Sequence, residues 1–168
     1  SASNGTIAWT ISVGGGSLLN ASSISPTYTP VAGDAGTTVT LLLTVSGNGS
    51  CADATSTKDI DITAAPTAVI TSATGETCED TPFVVGDASA TNGTILWTHN
   101  GEGTLTNETT ASPTYTPVAG DAGTTVTLTL TVSGNLSCDD AVATKTLTIT
   151  AAPTADAGGP YTIDEGDD

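Results

Sequence analysis

Two stretches of this chain are near copies of each other. Asn4-Gly5-Thr6-Ile7-Ala8-Trp9-Thr10 returns as Asn92-Gly93-Thr94-Ile95-Leu96-Trp97-Thr98, and Pro26 to Thr40 returns unchanged as Pro113 to Thr127. The offset is 88 residues at the Trp motif (97 minus 9) and 87 from the Pro-Thr-Tyr block onward (113 minus 26), so one residue of loop separates the copies. A repeat of about 87 residues is near the size of one immunoglobulin-type sandwich, so the 168 residues read as tandem units rather than one domain. Arrays of this kind serve reach and multiplicity, because each unit contacts only its neighbours.

The repeat also sets a frame. Copy two has a run-in, Ala68 to Ala90, with no counterpart in copy one, and after copy two Ala155-Asp156-Ala157-Gly158-Gly159-Pro160-Tyr161 begins a third opening. The expected domains are a truncated unit over 1–65 without its first strands, a complete unit over 66–153, and the opening segment of a third over 154–168. With no Met and no apolar leader at Ser1, the chain is expected to be a window on a longer, processed protein.

Eighteen acidic residues against two lysines and no arginine give a net charge of −16. Such a surface repels nucleic acid and anionic membranes, and no apolar run approaches the ~18 residues of a membrane span. Aromatics make up only 4%, and the apolar positions are Val, Ile, Leu and Ala set among Thr, Ser and Gly, which is strand-and-turn composition. In Thr124 to Val132, Val126, Leu128, Leu130 and Val132 share one parity and threonines the other, which is burial of one sheet face. Copy one repeats the pattern with Val39, Leu41, Leu43 and Val45, except that Leu42 replaces an outward threonine and is a candidate contact. With about seven short strands per period and turns at Gly47-Asn48 and Gly134-Asn135, the expected fold is all-β, as tandem β-sandwiches.

Cys51 and Cys138 are repeat equivalents, and Cys78 stands before Phe83. A Cys78–Cys138 disulfide would close a loop of about 60 residues and stabilise by about 3–4 kcal/mol in the chain-entropy model. The partner of Cys51 would then fall outside the window. Three reduced thiols are the alternative, although an acidic, Thr-rich β array suits an oxidising exterior.

Trp97-Thr98, Gly101-Glu102-Gly103-Thr104-Leu105, Thr114-Tyr115-Thr116-Pro117, Gly120-Asp121, Val126 to Leu130, Ser133-Gly134-Asn135 and Cys138 form an ordered series present in both copies. The series resembles the PKD-like, immunoglobulin-like tandem repeats of very long secreted bacterial proteins, the cell-surface adhesins and gliding-motility-associated proteins of Bacteroidota. Asp156 to Gly166 resembles the opening of an ordinary PKD domain, although the Trp-Asp-Phe-Gly-Asp-Gly motif of those domains is missing after Trp97. The resemblance implies a spacer or adhesive module with no chemistry of its own.

The residues themselves offer little to an enzyme. His99 is the only histidine, its counterpart in copy one is Ile11, and no serine or cysteine has a base at motif spacing, so no catalytic residue is assigned. Asn4, Asn20, Asn48, Asn92, Asn107 and Asn135 sit in Asn-x-Ser/Thr and are candidate glycosylation sites. Lys58 and Lys145 are equivalent and fall on the inward parity of the last strand of each copy, where a lysine is expected to snorkel at a sheet end. No cofactor is required. Asp156, Asp164, Glu165, Asp167 and Asp168 are hard oxygen ligands at high density and are candidates for binding Ca²⁺ at a domain joint. The expected protein is extracellular, a structural repeat of a cell-surface filament or giant adhesin whose partners are copies of itself or adjacent repeats. A glycan- or surface-binding module and a spacer attached to a secreted enzyme are the alternatives.

Overall fold

A computed structural model describes residues 4–134 and 138–159. Copy one contains β1 (Thr6–Val13), β2 (Ser17–Leu19), β3 (Thr27–Thr29), β4 (Thr38–Ser46) and β5 (Ala54–Asp61). Copy two contains β6 (Thr67–Ile70), β7 (Thr74–Cys78), β8 (Phe83–Val84), β9 (Ala88–Thr91), β10 (Gly93–His99), β11 (Thr104–Thr106), β12 (Thr114–Thr116), β13 (Thr125–Gly134) and β14 (Ala141–Thr150). Single 3₁₀ turns at Ala32–Asp34 and Ala119–Asp121 are the only helical segments among the described residues.

Copy two forms a four-stranded sheet in the order β10-β13-β14-β7, a three-stranded sheet β11-β12-β8, and the pair β6-β9. Among the described residues copy one forms β1-β4-β5 and β2-β3. The described residues resolve into two compact units. One draws on the described parts of 1–69, 89–95 and 131–142, the other on those of 70–88, 96–130 and 143–168.

The alternation read in the sequence is the burial pattern found. Val126, Leu128, Leu130 and Val132 of β13 are fully buried, and the intervening threonines are not. In β4 the same parity begins buried at Val39 and Leu41 but is only half-buried at Leu43 and Val45. Trp97 is 2% exposed, whereas its equivalent Trp9 is half-buried, although both donate their indole N–H to a loop carbonyl, Thr110 at 3.0 Å and Ser23 at 3.1 Å. Equal sequence thus meets unequal cover, because copy one has no counterparts of β7 and β8 among the described residues.

The one-residue difference between copies is a β-bulge. Trp9 pairs with Leu43 and Ile11 with Leu41, but Val13 pairs with Thr40, so Ser12 is the inserted residue. Copy two is one residue shorter here, and the side-chain carbonyl of Asn100 accepts the Thr127 N–H at 2.7 Å.

Asn4, Asn20, Asn92 and Asn107 all hold φ between 56° and 59°. Asparagine tolerates this left-handed region better than most residues, and the carbonyls of Asn20 and Asn107 accept the N–H of Ser23 and Thr110 at 3.0 Å to close the turns after β2 and β11. The choice of asparagine at these repeated positions therefore has a conformational cause.

Candidate interaction surface

The last strand of each copy decides what the sandwich offers to its surroundings. In copy two, β7 lies parallel to β14, with Thr146 opposite Thr74 and Thr150 opposite Cys78. The Thr146 N–H donates to the Ala73 carbonyl at 2.8 Å and the Glu79 N–H to the Thr150 carbonyl at 3.0 Å. A glycine is required in the middle, since a Cβ on Gly75 would meet the Phe83 ring at 2.7 Å.

Lys145 is 3% exposed beneath this strand, so it does not snorkel as expected. Its ammonium donates to the Ser72 carbonyl at 2.7 Å, forms an ion pair with Asp87 at 3.1 Å, and stands 5.9 Å from the centroid of the Phe83 ring. The Ser72 N–H, working with the lysine against the upward pull of burial, holds the Asp87 carboxyl below the ordinary carboxylate value. Asp87→Ala would leave a buried ammonium without its counter-ion and is expected to destabilise by about 2–3 kcal/mol, against about 1 kcal/mol or less for Lys145→Met. Lys58→Met in copy one should change stability by less than about 0.5 kcal/mol, because Lys58 is exposed. Guanidinium titrations followed by circular dichroism check all three.

In copy one no described residue forms a strand in the corresponding place. β5 pairs with β4 on one side only, from Thr38 opposite Asp61 to Val45 opposite Ala54, and residues 54–59 are all exposed. Lys58 has no ion pair among the described residues. Asp59 and Asp61, which stand where copy two has Thr146 and Thr148, accept the hydroxyls of Thr40 at 2.7 Å and Thr38 at 2.6 Å. Leu43, Val45, Ala54, Thr55 and Ser56 line a depression of about 110 Å³ on this sheet. Their copy-two equivalents Leu130 and Val132 are fully buried.

The cysteines correct an expectation. Cys51, Cys78 and Cys138 are free thiols, and Cys78 lies opposite Thr150, the last residue of a strand that begins only after Cys138. Ten strand residues span roughly 30 Å, against the ~7 Å between Cα atoms that a disulfide tolerates, so the Cys78–Cys138 bridge is not made in this fold.

The remaining candidates are scattered. Asp156 is exposed and its carboxylate accepts the Gly158 N–H at 2.8 Å, while Asp164, Glu165, Asp167 and Asp168 lie outside the described residues. No cluster of three potential metal ligands occurs among the described residues. Asn4, Asn20, Asn48, Asn92 and Asn107 are exposed, the amides of Asn48 and Asn92 donating to the carbonyls of Asn4 and Ala65 at 2.7 and 3.0 Å, and Asn135 lies outside the described residues. Leu42 is half-buried, between Thr10 of β1 and Thr57 of β5. His99 sets its ring edge-on to Tyr115 with centroids 5.1 Å apart, and its buried Nδ1 has no hydrogen-bond partner. A cleft of about 340 Å³ is lined by Trp97, Thr98, His99, Leu105 and Glu108, but the 2% exposure of Trp97 leaves no aromatic platform for a sugar ring.

One constellation escaped the sequence reading. Asp121, buried at the end of the 3₁₀ turn Ala119–Asp121, accepts the Tyr115 hydroxyl at 2.7 Å and the N–H groups of Glu102 at 2.8 Å, Gly103 at 3.1 Å and Val118 at 3.2 Å. Asp34 does the same in copy one for Tyr28, Gly15 and Val31 at 2.7, 2.8 and 2.9 Å. Burial alone would raise the Asp121 carboxyl, but these donors outweigh it and hold the carboxyl low, and burial together with the carboxylate pushes Tyr115 up to about 12. The unchanged block Tyr28 to Asp34 and Tyr115 to Asp121 was the signal. Each carboxylate thus ties the β1–β2 or β10–β11 loop to the tyrosine strand and the 3₁₀ turn of its own copy.

No family model and no curated protein sequence matches the chain. Among solved structures, mouse protocadherin-24 EC1-3 aligns over 87% of this chain and 58% of its own at 13% identity and a TM-score of 0.39. The mouse nectin-like molecule 4 ectodomain, Ig1–Ig3, aligns over 89% and 55% at 15% identity and 0.36. An endo-fucoidan hydrolase from glycoside hydrolase family 107 aligns over 88% and 24% at 16% identity and 0.36. The chain spans 24% to 58% of the length of these proteins. The fold is all-β and immunoglobulin-like. No helix among the described residues is long and apolar enough to cross a membrane.

Proposed function

We propose that this chain is a structural repeat of an extracellular, cell-surface filament or giant adhesin, which projects and spaces through tandem sandwiches and associates with copies of itself. The observation that carries the reading is one sandwich pattern built twice from near-identical sequence in a single chain. The buried polar groups support it: Asp34, Asp121 and Lys145 are consumed in holding loops and strands and present nothing to a substrate. On this reading the protein is not an enzyme, and its working units are the truncated 1–65, the complete 66–153 and the opening segment 154–168. The net charge of −16 suits a surface that must stay soluble at high local density.

Negative-stain microscopy of the protein isolated from its source is expected to show thin filaments whose axial repeat matches one chain. Discrete particles carrying a catalytic domain beside these sandwiches would replace the filament reading by the spacer one.

A further inference from the structure

We propose that Asn48 is a self-modifying site: the backbone nitrogen of Gly49 attacks its side-chain amide, and the resulting change to aspartate or isoaspartate releases the turn between β4 and β5 from the chain entering β1. The chemistry is intramolecular and independent of assembly.

Four of the seven asparagines precede a glycine, at Asn4-Gly5, Asn48-Gly49, Asn92-Gly93 and Asn100-Gly101. A following residue without a side chain leaves its amide nitrogen unhindered and its backbone free to turn toward the asparagine. Ring closure still requires a near-attack geometry, and a backbone held about 1 Å away from it reacts about 10²-fold more slowly.

The fold separates the four. A Cβ on Gly5 would meet the Ser46 carbonyl oxygen, one on Gly93 the Ser133 carbonyl oxygen, and one on Gly101 the Tyr115 hydroxyl, so each of these glycines has its backbone laid against a neighbour. Two of their asparagines are also held by the side chain. The Asn92 amide donates to the Ala65 carbonyl at 3.0 Å, and the Asn100 side-chain carbonyl accepts the Thr127 N–H at 2.7 Å. Around Gly49 nothing lies within 4 Å of where a Cβ would stand, and both it and Asn48 are exposed. The turn is closed by the Cys51 N–H on the Asn48 carbonyl at 3.2 Å and by the Gly47 N–H on the Asp53 carboxylate at 3.0 Å, neither of which uses the Gly49 nitrogen.

The Gly49 nitrogen gives its proton to water and bonds to the Asn48 side-chain carbon, whose bond to the amide nitrogen breaks and releases ammonia. Water then opens the cyclic imide at either carbonyl, leaving aspartate or, with the backbone rerouted through the side chain, isoaspartate. The expelled nitrogen is the one that donates to the Asn4 carbonyl at 2.7 Å. A carboxylate in its place accepts and cannot donate, so the contact ends, and each event adds one negative charge to the −16. The copy-two equivalent, Asn135, precedes Leu136, whose side chain hinders the attack, so the change belongs to copy one.

The test incubates the full 168-residue chain at mildly alkaline pH and maps its peptides with fragmentation that distinguishes isoaspartate from aspartate. Asn48 should convert about tenfold or more faster than Asn4, Asn92 or Asn100, and the four rates should converge in guanidinium, where the backbone constraint is gone. Isoaspartate should accompany aspartate, since direct hydrolysis of the side chain leaves none, and Asn48→Gln should remove the fast phase. Amide exchange over residues 47–51 should rise several-fold in the converted chain, and Asn48→Asp should reproduce the rise. Equal rates at the four sites in the folded chain, a faster site elsewhere, or aspartate without isoaspartate overturns the site and its chemistry. Unchanged exchange in both the converted chain and Asn48→Asp overturns the release of the turn.

Discussion

Trp97→Ala is expected to destabilise the protein by about 4 kcal/mol, and Trp9→Ala by about half as much, although the two residues occupy equivalent positions with equivalent indole hydrogen bonds. The difference lies in cover. Removing a fully buried indole leaves a cavity that a close-packed core closes only in part, and Trp97 is 2% exposed. Trp9 already borders water, so the same truncation removes less buried area and leaves less void. Guanidinium titration read by circular dichroism would show the two shifts. Equal shifts would mean that Trp9 is as well covered in solution as Trp97, as it would be if another chain completed copy one. The comparison should therefore be made at a concentration where the chain is monomeric, and its convergence on raising the concentration would itself report assembly.

What the sequence revealed and what it concealed divide along one physical line. Period-two alternation is local, so β4 and β13 and their inward residues could be read directly from Val39 to Val45 and Val126 to Val132. Pairing between strands distant in sequence is not local. The segment 74–78 has no strong alternation, and nothing in it says that it runs parallel to β14. Taking it as the front of the domain near the end of β13 led to a disulfide that the parallel register forbids. Lys145 was correctly placed on the inward parity, but its burial depends on Asp87 and Ser72, 58 and 73 residues away, and no spacing rule connects them. Asn20 and Asn107 carry a second constraint that the short motif does not express, since the left-handed turns after β2 and β11 favour asparagine whether or not its side chain is modified. Asp34 and Asp121 were visible only as members of an unchanged block, because a carboxylate that collects backbone N–H groups needs the folded loop before it has partners.

Asp121→Ala tests that carboxylate and is expected to cost about 3–4 kcal/mol, since four donors lose their acceptor where water cannot readily replace it. Its pH counterpart follows from the two shifted groups. The Asp121 carboxyl is held below the ordinary value of 3.8, so its contribution is complete above that pH and is lost as pH falls through the lower folded value. The Tyr115 hydroxyl is raised from 10.0 to about 12, so its contribution is complete below pH 10 and is lost as pH rises toward 12, where the unfolded chain ionises first. Tyr115→Phe should remove its share of the alkaline loss, leaving that of Tyr28, while keeping most of the neutral-pH stability, because Asp121 retains its three backbone donors. Asp121→Ala should remove the acid-side contribution and also lower the tyrosine's titration, which ultraviolet difference absorbance at 295 nm, an ordinary tyrosinate wavelength, would follow directly. A Tyr115 that ionises near 10 in the wild type would show that the loop opens in solution, and the carboxylate would then be tied to neither strand.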